Sequence, residues 1–315
     1  MDRRDFIKSC SLMALVGLLQ GCKKGVLGDG ANGAGGERLS TFMKRCEDEV
    51  RLAVSQAKGR MDLVKIPTPK EMKGSAGFAA GTIVGSAVGA VRGSSLNRFG
   101  MAIDLDLCNG CGKCILACNT ENNVALVTDE EAARGRFMHW IEMRGGAPFM
   151  CAHCGDAPCE KVCPTGAANH TPDGISAMMY KRCTGSRFCG ANCPAKARKF
   201  NFNDAQELGL VRKLNYDVPL REKGVMEKCS LCLHRLQNDR MRFKTEAAIA
   251  GSSAEWRGRG VKTACAEACP CNAIVFGNWL DKESPLVKAA QGRQLYAPRE
   301  LADHDPAVVF MMGKR

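Results

Sequence analysis

Aromatic residues make up only 6% of the 315-residue sequence, so a large core built on stacked rings is not expected. The sequence contains no nucleophile elbow and no phosphate loop, nor a dinucleotide fingerprint set between strand and helix. Hydrolase, nucleotide-hydrolysing and hydride-transfer chemistry therefore have nothing to stand on. What is abundant instead is cysteine, with nineteen residues. In a chain of this length a cofactor outranks a disulfide scaffold, provided the spacing agrees.

Fifteen of the nineteen fall into four groups. Group one is Cys108, Cys111, Cys114 and Cys118, spaced C-x2-C-x2-C-x3-C. Group two is Cys151, Cys154, Cys159 and Cys163, followed by Pro164. Group three is Cys183, Cys189 and Cys193, followed by Pro194. Group four is Cys229 and Cys232, then 32 intervening residues, then Cys265 and Cys269, followed by Pro270. Two intervening residues let a loop curl round an iron–sulfur cluster, and the x3 gap turns the last cysteine toward the other cluster of a pair. The proline after it fixes the turn. Group one departs, ending in Cys118-Asn119. Structural zinc, the alternative, wants two cysteine pairs around one metal, and groups one and two each crowd four cysteines into a single short stretch. A disulfide scaffold would not repeat Cys-Pro. In group three, Ser186 stands where register expects a second cysteine. A missing ligand suits a [3Fe–4S] centre; the alternative is a [4Fe–4S] centre ligated by the Ser186 oxygen or by solvent. Cys46 is read as a packed thiol and His139, His153 and His234 as packing or hydrogen-bonding residues, not ligands; Cys271, just after the last Cys-Pro, is given no slot.

The formal charge of +12 points to nucleic acid or another acidic partner only while the cysteines count as neutral. A cubane on four thiolates carries about −2, so four clusters would subtract roughly 8. The basic excess is then largely counter-charge, and no nucleic-acid partner is expected.

At the N-terminus, Arg3-Arg4 ahead of Phe6-Ile7-Lys8 resembles a twin-arginine export signal, which carries folded proteins and so allows cofactors to be inserted before export. The apolar run Leu12–Leu19 is too short to span a bilayer. Leu19-Gln20-Gly21-Cys22 resembles a lipoprotein processing site with Cys22 lipidated; the alternative is that Cys22 is incidental. Cys10 lies inside this signal. These features place the protein on the periplasmic side of the cytoplasmic membrane.

The expected fold class is α+β: two interleaved bacterial-ferredoxin-like modules, loop-rich, with an N-terminal helical and glycine-rich extension. Residues 1–22 form the signal, and 23–97 hold a tether (23–36), a helix over 37–60 with Cys46 on its packed face, and a glycine-rich segment. In that segment Gly77, Gly81, Gly85, Gly89 and Gly93 recur every four residues. A packing helix, a flexible loop and a membrane span all remain open there. Residues 98–280 form the cysteine-rich domain, entered by a strand from Phe99 to Leu107, with 98–145 and 225–280 making one module and 146–224 the other. Residues 281–315, with Pro285, Pro298 and Pro306, read as an extended tail.

These cysteine groups, together with Glu121-Asn122-Asn123, Met138-His139-Trp140, the stretch Val225–Arg235 and Ala273–Gly277, resemble the four-cluster ferredoxin subunits of membrane-bound respiratory complexes. That family includes the electron-transfer subunits of molybdopterin oxidoreductases and of polysulfide reductase. It also includes the iron–sulfur proteins of alternative complex III and of the periplasmic quinone reductase complex of sulfate reducers. The resemblance covers about residues 98–300. It implies that the four clusters line up as a wire; with Ser186 in place of a cysteine, three [4Fe–4S] clusters and one [3Fe–4S] cluster are expected. It implies Cys108, Cys111, Cys114 and Cys269 on one cluster, and Cys118, Cys229, Cys232 and Cys265 on its neighbour. A third would use Cys151, Cys154, Cys159 and Cys193, and the fourth Cys163, Cys183 and Cys189 with Ser186 at the vacant corner. The implied role is a non-catalytic relay between a periplasmic partner, a molybdopterin-type oxidoreductase or a multihaem cytochrome c, and a polytopic quinone-interacting membrane subunit. A soluble periplasmic polyferredoxin shuttle and a zinc-bound nucleic-acid-binding protein are the rival readings.

Overall fold

A computed structural model describes residues 34–55, 61–67, 97–203 and 215–313. The expected signal with Arg3, Arg4, Cys10 and Cys22, the tether up to residue 33, residues 56–60 and the glycine ridge Gly77–Gly93 lie outside the described residues.

In chain order the elements begin with α1 (Ala34–Ser55), β1 (Leu63–Ile66), β2 (Phe99–Asp104), α2 (Lys113–Glu121) and α3 (Asp129–Ala133). Next come the hairpin strands β3 (Glu142–Arg144) and β4 (Ala147–Phe149), α4 (Pro158–Lys161), and the hairpin β5 (Ala168–His170) and β6 (Ser176–Met178). Then follow α5 (Phe188–Ala191), β7 (Lys199–Phe200), β8 (Met226–Glu227), α6 (Leu233–Ile249) and α7 (Ala264–Glu267). The described residues close with β9 (Ile274–Asn278), α8 (Pro285–Ala290), β10 (Gln294–Pro298) and β11 (Val308–Met312). Helix and strand mix without regular alternation, which is the α+β class.

One five-stranded sheet, in the order β1-β10-β11-β2-β9, anchors the molecule. Its pairs are antiparallel except β11 with β2, which run parallel. All six residues of β2 are buried, as expected of a strand covered on both faces. Phe99 stacks on Phe276 of β9 at 5.8 Å between centroids, and α8 packs across β9 and β2. Gly100 is required by a close approach: a Cβ there would lie 2.2 Å from the Ala307 carbonyl oxygen and 2.3 Å from Trp279 Nε1. That indole nitrogen donates to the same carbonyl at 2.9 Å. The remaining strands form three separate two-stranded ribbons, β3-β4, β5-β6 and β7-β8.

Two expectations change. Residues 281–315 are not an extended tail, for they carry α8, β10 and β11, and two of those are sheet strands. The prolines that suggested a tail sit where proline belongs. Pro285 follows the Ser284 cap at the first position of α8, and Pro298 ends β10. The N-terminal helix begins at Ala34, three residues before the expected start, and is built into the body. Val50 and Val54 lie where a Cβ on Gly112 would fall, so α1 covers the group-one loop. Glu49 of α1 accepts from the Val127 N–H at 3.1 Å. Cys46 is buried against Leu126, as a packed thiol should be. Burial first, then Glu49 and Glu47, push that thiol up to about 12.

Candidate metal centres

Each cysteine group lies where a regular element ends and a tight loop begins. Group one follows β2 directly. Gly110 (φ 69°) and Gly112 (φ 73°) supply the left-handed turns that bend this loop, and α2 then starts. Group four uses Leu231 (φ 52°) and Cys232 (φ 51°) for the same bend, a conformation costly for residues with a Cβ and upheld by the packing around it.

The three Cys-Pro endings share one turn. The N–H three residues on donates back to the cysteine carbonyl: Gly166 to Cys163 at 3.3 Å, Lys196 to Cys193 at 3.0 Å, and Asn272 to Cys269 at 3.2 Å. Proline fits the second place of such a turn, and the fourth residue has positive φ in all three. Cys118, with Asn119 after it, lacks the proline, and its helix simply continues to Glu121. The Asn122 N–H then reaches the Cys118 carbonyl at 3.0 Å. The departure seen in the sequence is a helix that does not stop.

Two cavities result. The first is lined by Cys108, Cys111 and Cys114 of group one and Cys269 of group four, with Cys271, Met143, Pro148 and Ile274. The second is lined by Cys118 of group one and Cys229, Cys232 and Cys265 of group four, with Met101, Ile141 and Leu231. Helix α2 carries Cys114 to one cavity and Cys118 to the other. Against it packs α7, with Cys265 at one cavity and Cys269 just beyond its end at the other. Cys271, with no place in the ligand scheme, also faces the first cavity.

In the second half, Cys151, Cys159 and Cys193 all lie close enough to Cys154 to act on its charge, and Cys163 and Cys183 act likewise on Cys189. Here the packed helix pair is α4, carrying Cys159, and α5, carrying Cys189. Ser186 is exposed on the loop between Cys183 and α5. The preceding Gly185 (φ 68°) leaves no room for a side chain beside the Gly224 carbonyl.

All seventeen cysteines among the described residues are free thiols. Burial, then the neighbouring sulfurs of Cys111, Cys108 and Cys269, push Cys114 up to about 12. Burial pushes Cys232 to about 11 and raises Cys118, Cys229 and Cys265 further. Cys163 runs the other way. Burial raises it, but donors at Ala168 and Thr165 outweigh that and lower it. Backbone N–H groups also aim at sulfur from Leu231 to Cys229 (3.4 Å), Ala273 to Cys269 (3.3 Å) and Met226 to Cys183 (3.4 Å). Thiols held protonated by burial become ligands by releasing protons when metal arrives. Among the described residues no three His, Cys, Asp or Glu side chains converge to hold a single metal ion. Sulfurs ringed about a cavity, with N–H donors behind them, fit a polynuclear iron–sulfur core.

The three histidines serve as neighbours. His234 Nε2 lies 2.7 Å from Glu121 Oε1 and His139 Nδ1 lies 2.7 Å from Asn119 Nδ2, while His153 is fully buried and held neutral, chiefly by burial. Residues not singled out by spacing are the buried charges behind the cysteines. Arg221 donates to Glu227 at 2.9 Å and to the carbonyls of Asn122 (2.5 Å) and Asn123 (2.8 Å). Glu227 also accepts from Trp140 (3.2 Å) and Asn201 (3.0 Å). Arg198 donates to the Cys159 sulfur at 3.0 Å, and Lys228 sits 1% exposed next to Cys229. Glu227 and Lys228 lie in the stretch Val225–Arg235 that carried the resemblance; only the overall basic excess hinted at Arg198 and Arg221. No helix among the described residues is long and apolar enough to cross a membrane.

Comparison with known proteins points the same way. Residues 97–167, which contain groups one and two, match the 4Fe-4S dicluster domain family. The iron–sulfur cluster-binding subunit of menaquinone reductase from Nitratidesulfovibrio vulgaris is 35% identical over 230 residues, covering 68% of this chain and 88% of that protein. The Hdr-like menaquinol oxidoreductase iron–sulfur subunit 1 of Archaeoglobus fulgidus is 32% identical over 240 residues, 68% of this chain and 82% of its own. One polypeptide of the polysulfide reductase of Wolinella succinogenes is 25% identical over 228 residues, 69% and 96% respectively.

Proposed function

The chain belongs to the family of iron–sulfur electron-transfer subunits of respiratory oxidoreductase complexes, and from that premise we propose that it relays electrons through three [4Fe–4S] clusters and one [3Fe–4S] cluster. It is an electron-transfer component, not the catalytic subunit. When bound, the clusters accept and pass on single electrons. The protein supplies thiols, N–H donors and a dry interior.

The observation that carries this reading is that each of the two cavities mixes cysteines from group one with cysteines from group four. Such exchange is what a pair of ferredoxin-type clusters requires, the last cysteine of each run crossing to the neighbouring cluster. The ligand sets are Cys108, Cys111, Cys114 and Cys269; Cys118, Cys229, Cys232 and Cys265; Cys151, Cys154, Cys159 and Cys193; and Cys163, Cys183 and Cys189, with Ser186 at the vacant corner. Residues 98–145 with 225–280 make one ferredoxin-like module and 146–224 the other. The paired helices α2–α7 and α4–α5, each holding cysteines of two groups, support that division.

The relay runs between a periplasmic redox partner, a molybdopterin-type oxidoreductase or multihaem cytochrome c, and a polytopic quinone-interacting membrane subunit. The name of the menaquinone reductase relative supports the quinone-linked end of this relay, and that of the polysulfide reductase relative its place in a reductase complex. Arg3-Arg4 supports export by the twin-arginine route, and Cys22 supports a lipid anchor on the periplasmic side of the membrane.

Redox titration followed by electron paramagnetic resonance, with iron and sulfide analysis, tests the reading. Ser186→Cys should extinguish the signal of an oxidised three-iron centre and raise the iron content by one atom per chain. Wild-type protein without a three-iron signal when oxidised would sink the assignment of the fourth centre.

A further inference from the structure

Burying a cation without a paired carboxylate is costly unless some other negative charge lies close. Two cations here are buried without a direct carboxylate ion pair, although Glu160 feels the charge of Lys228. Arg198, one residue before β7, is 6% exposed. Its Nη2 donates to the Cys159 sulfur at 3.0 Å and its Nη1 lies 2.9 Å from the Met178 sulfur. Cys189 packs in the same small cluster as Cys159 and Met178, and its thiol feels the Arg198 charge. Lys228 directs its ammonium only at two carbonyl oxygens, those of Ser176 at 2.5 Å and Cys229 at 3.0 Å. Neither forms a carboxylate ion pair among the described residues, whereas the equally buried Arg221 is paired with Glu227 at 2.9 Å. Burial alone would weaken the charge on Arg198. The sulfurs of Cys159, Cys151 and Cys189 more than offset it and hold the group above its usual range.

Cys159 and Cys189 stand on different helices, α4 and α5, which pack against one another. They belong to different cysteine groups, and the guanidinium that grips Cys159 with one arm and Met178 with the other lies against the cluster that holds them both. We propose that Arg198 is the shared counter-ion of two neighbouring iron–sulfur centres, hydrogen-bonded to the one ligated through Cys159 and lying beside the one ligated through Cys189. The proposal rests on the ligand sets given above. Lys228 adds a second fixed positive charge, felt at Cys159. An electron arriving at either centre then lies beside a permanent cation. The reduced state is stabilised there without uptake of a proton, so both centres are set to a higher potential than their thiolate shells alone would give.

The test uses the full-length holoprotein and two variants, with iron and sulfide content and a paramagnetic-resonance redox titration of each centre. Arg198→Met keeps the volume and removes the charge. It should lower the one-electron reduction constant of two centres about tenfold or more, about 59 mV each, and the others by less than about threefold. Arg198→Lys keeps the charge but not the fork, and at least one of the two centres should stay within about threefold of wild type. Arg198→Met at full iron content with both constants unmoved, or with all centres shifted alike, overturns the proposal. So does Arg198→Lys falling as far as Arg198→Met in both centres. If Arg198→Met sheds iron, Arg198→Lys decides: one centre retained within that range supports the shared counter-ion, and neither retained overturns it. Failure of the four-centre reading itself shows separately, as missing centres in the wild-type titration before any variant is compared.

Discussion

Around Cys108 and Cys269 the cysteine loops hang from a five-stranded sheet, while around Cys159 and Cys189 they hang from two-stranded ribbons braced by buried charge. In the first region β2 runs straight into group one, and β9 begins just after group four. Position there is set by a hydrogen-bonded ladder and by apolar side chains such as Phe99, Met101 and Ile103, all wholly buried. In the second region no ribbon exceeds three residues per strand. A two-stranded ribbon is marginal by itself. The fixing is done instead by side chains that donate across the region: Arg221 with Glu227, Trp140 and Asn201, and Lys228 with Ser176. The difference teaches that a site needing fixed sulfurs can be built on a regular scaffold or on a satisfied polar network. The second solution depends on every member being present.

The comparison can be broken most sharply at Arg221. Arg221→Met leaves Glu227 buried and uncompensated and cuts the link to Asn122 and Asn123. It should cost about 3–5 kcal/mol, read as a fall in thermal midpoint of the holoprotein. An effect no larger than that of a surface substitution would mean the ribbons hold themselves. The sheet region is attacked at Gly100. Gly100→Ala drives a methyl group into the Ala307 carbonyl and Trp279, and should cost about 1–3 kcal/mol.

The smallest expected effect lies at the helix that covers group one. Burial lifts the Glu49 carboxyl to about 7, the Val127 N–H and Arg45 opposing and Asp129 adding slightly. An acid raised in the fold destabilises progressively as pH climbs from about 4.5 to about 7, because the unfolded chain ionises first. Glu49→Gln should therefore change little at pH 5 and stabilise by on the order of 1 kcal/mol at pH 8. Equal melting shifts at both values would show that Glu49 is ionised throughout. His139 faces it, 3.9 Å away, and is itself lowered to about 4, chiefly by burial, so it stays neutral across this window.

The cysteine loops were legible in the sequence because ligand spacing is local: a turn around a cluster needs its residues within a dozen positions. Even the departure at Asn119 pointed to a real difference, a helix carried on for want of proline. The strand leading into Cys108 was legible too, though it ends at Asp104 and not at Leu107. The sheet around it was not. Strands β1, β10 and β11 join it through pairings such as Val64 with Ala297 and Phe310 with Ile103, far apart in the chain. Composition cannot announce such partners, and Pro285 and Pro298 counted against regular structure until their places as helix start and strand end were seen. Arg198 was legible only in aggregate, as part of a basic excess expected to balance cluster charge, and Lys228 only as a member of the stretch Val225–Arg235, with no role attached. Which cations do the balancing depends on burial, and burial is a property of the fold.

The parallel partnership of β11 with β2 also sets a timetable. Strand β2 is made early, but both of its neighbours, β9 and β11, emerge from the ribosome long after it. Cys114 is synthesised 155 residues ahead of Cys269, which lines the same cavity. A nascent chain therefore carries that cavity unfinished until Cys269 is made, with only the group-one thiols of its lining in place. A cofactor held by both groups would have to wait for that late segment.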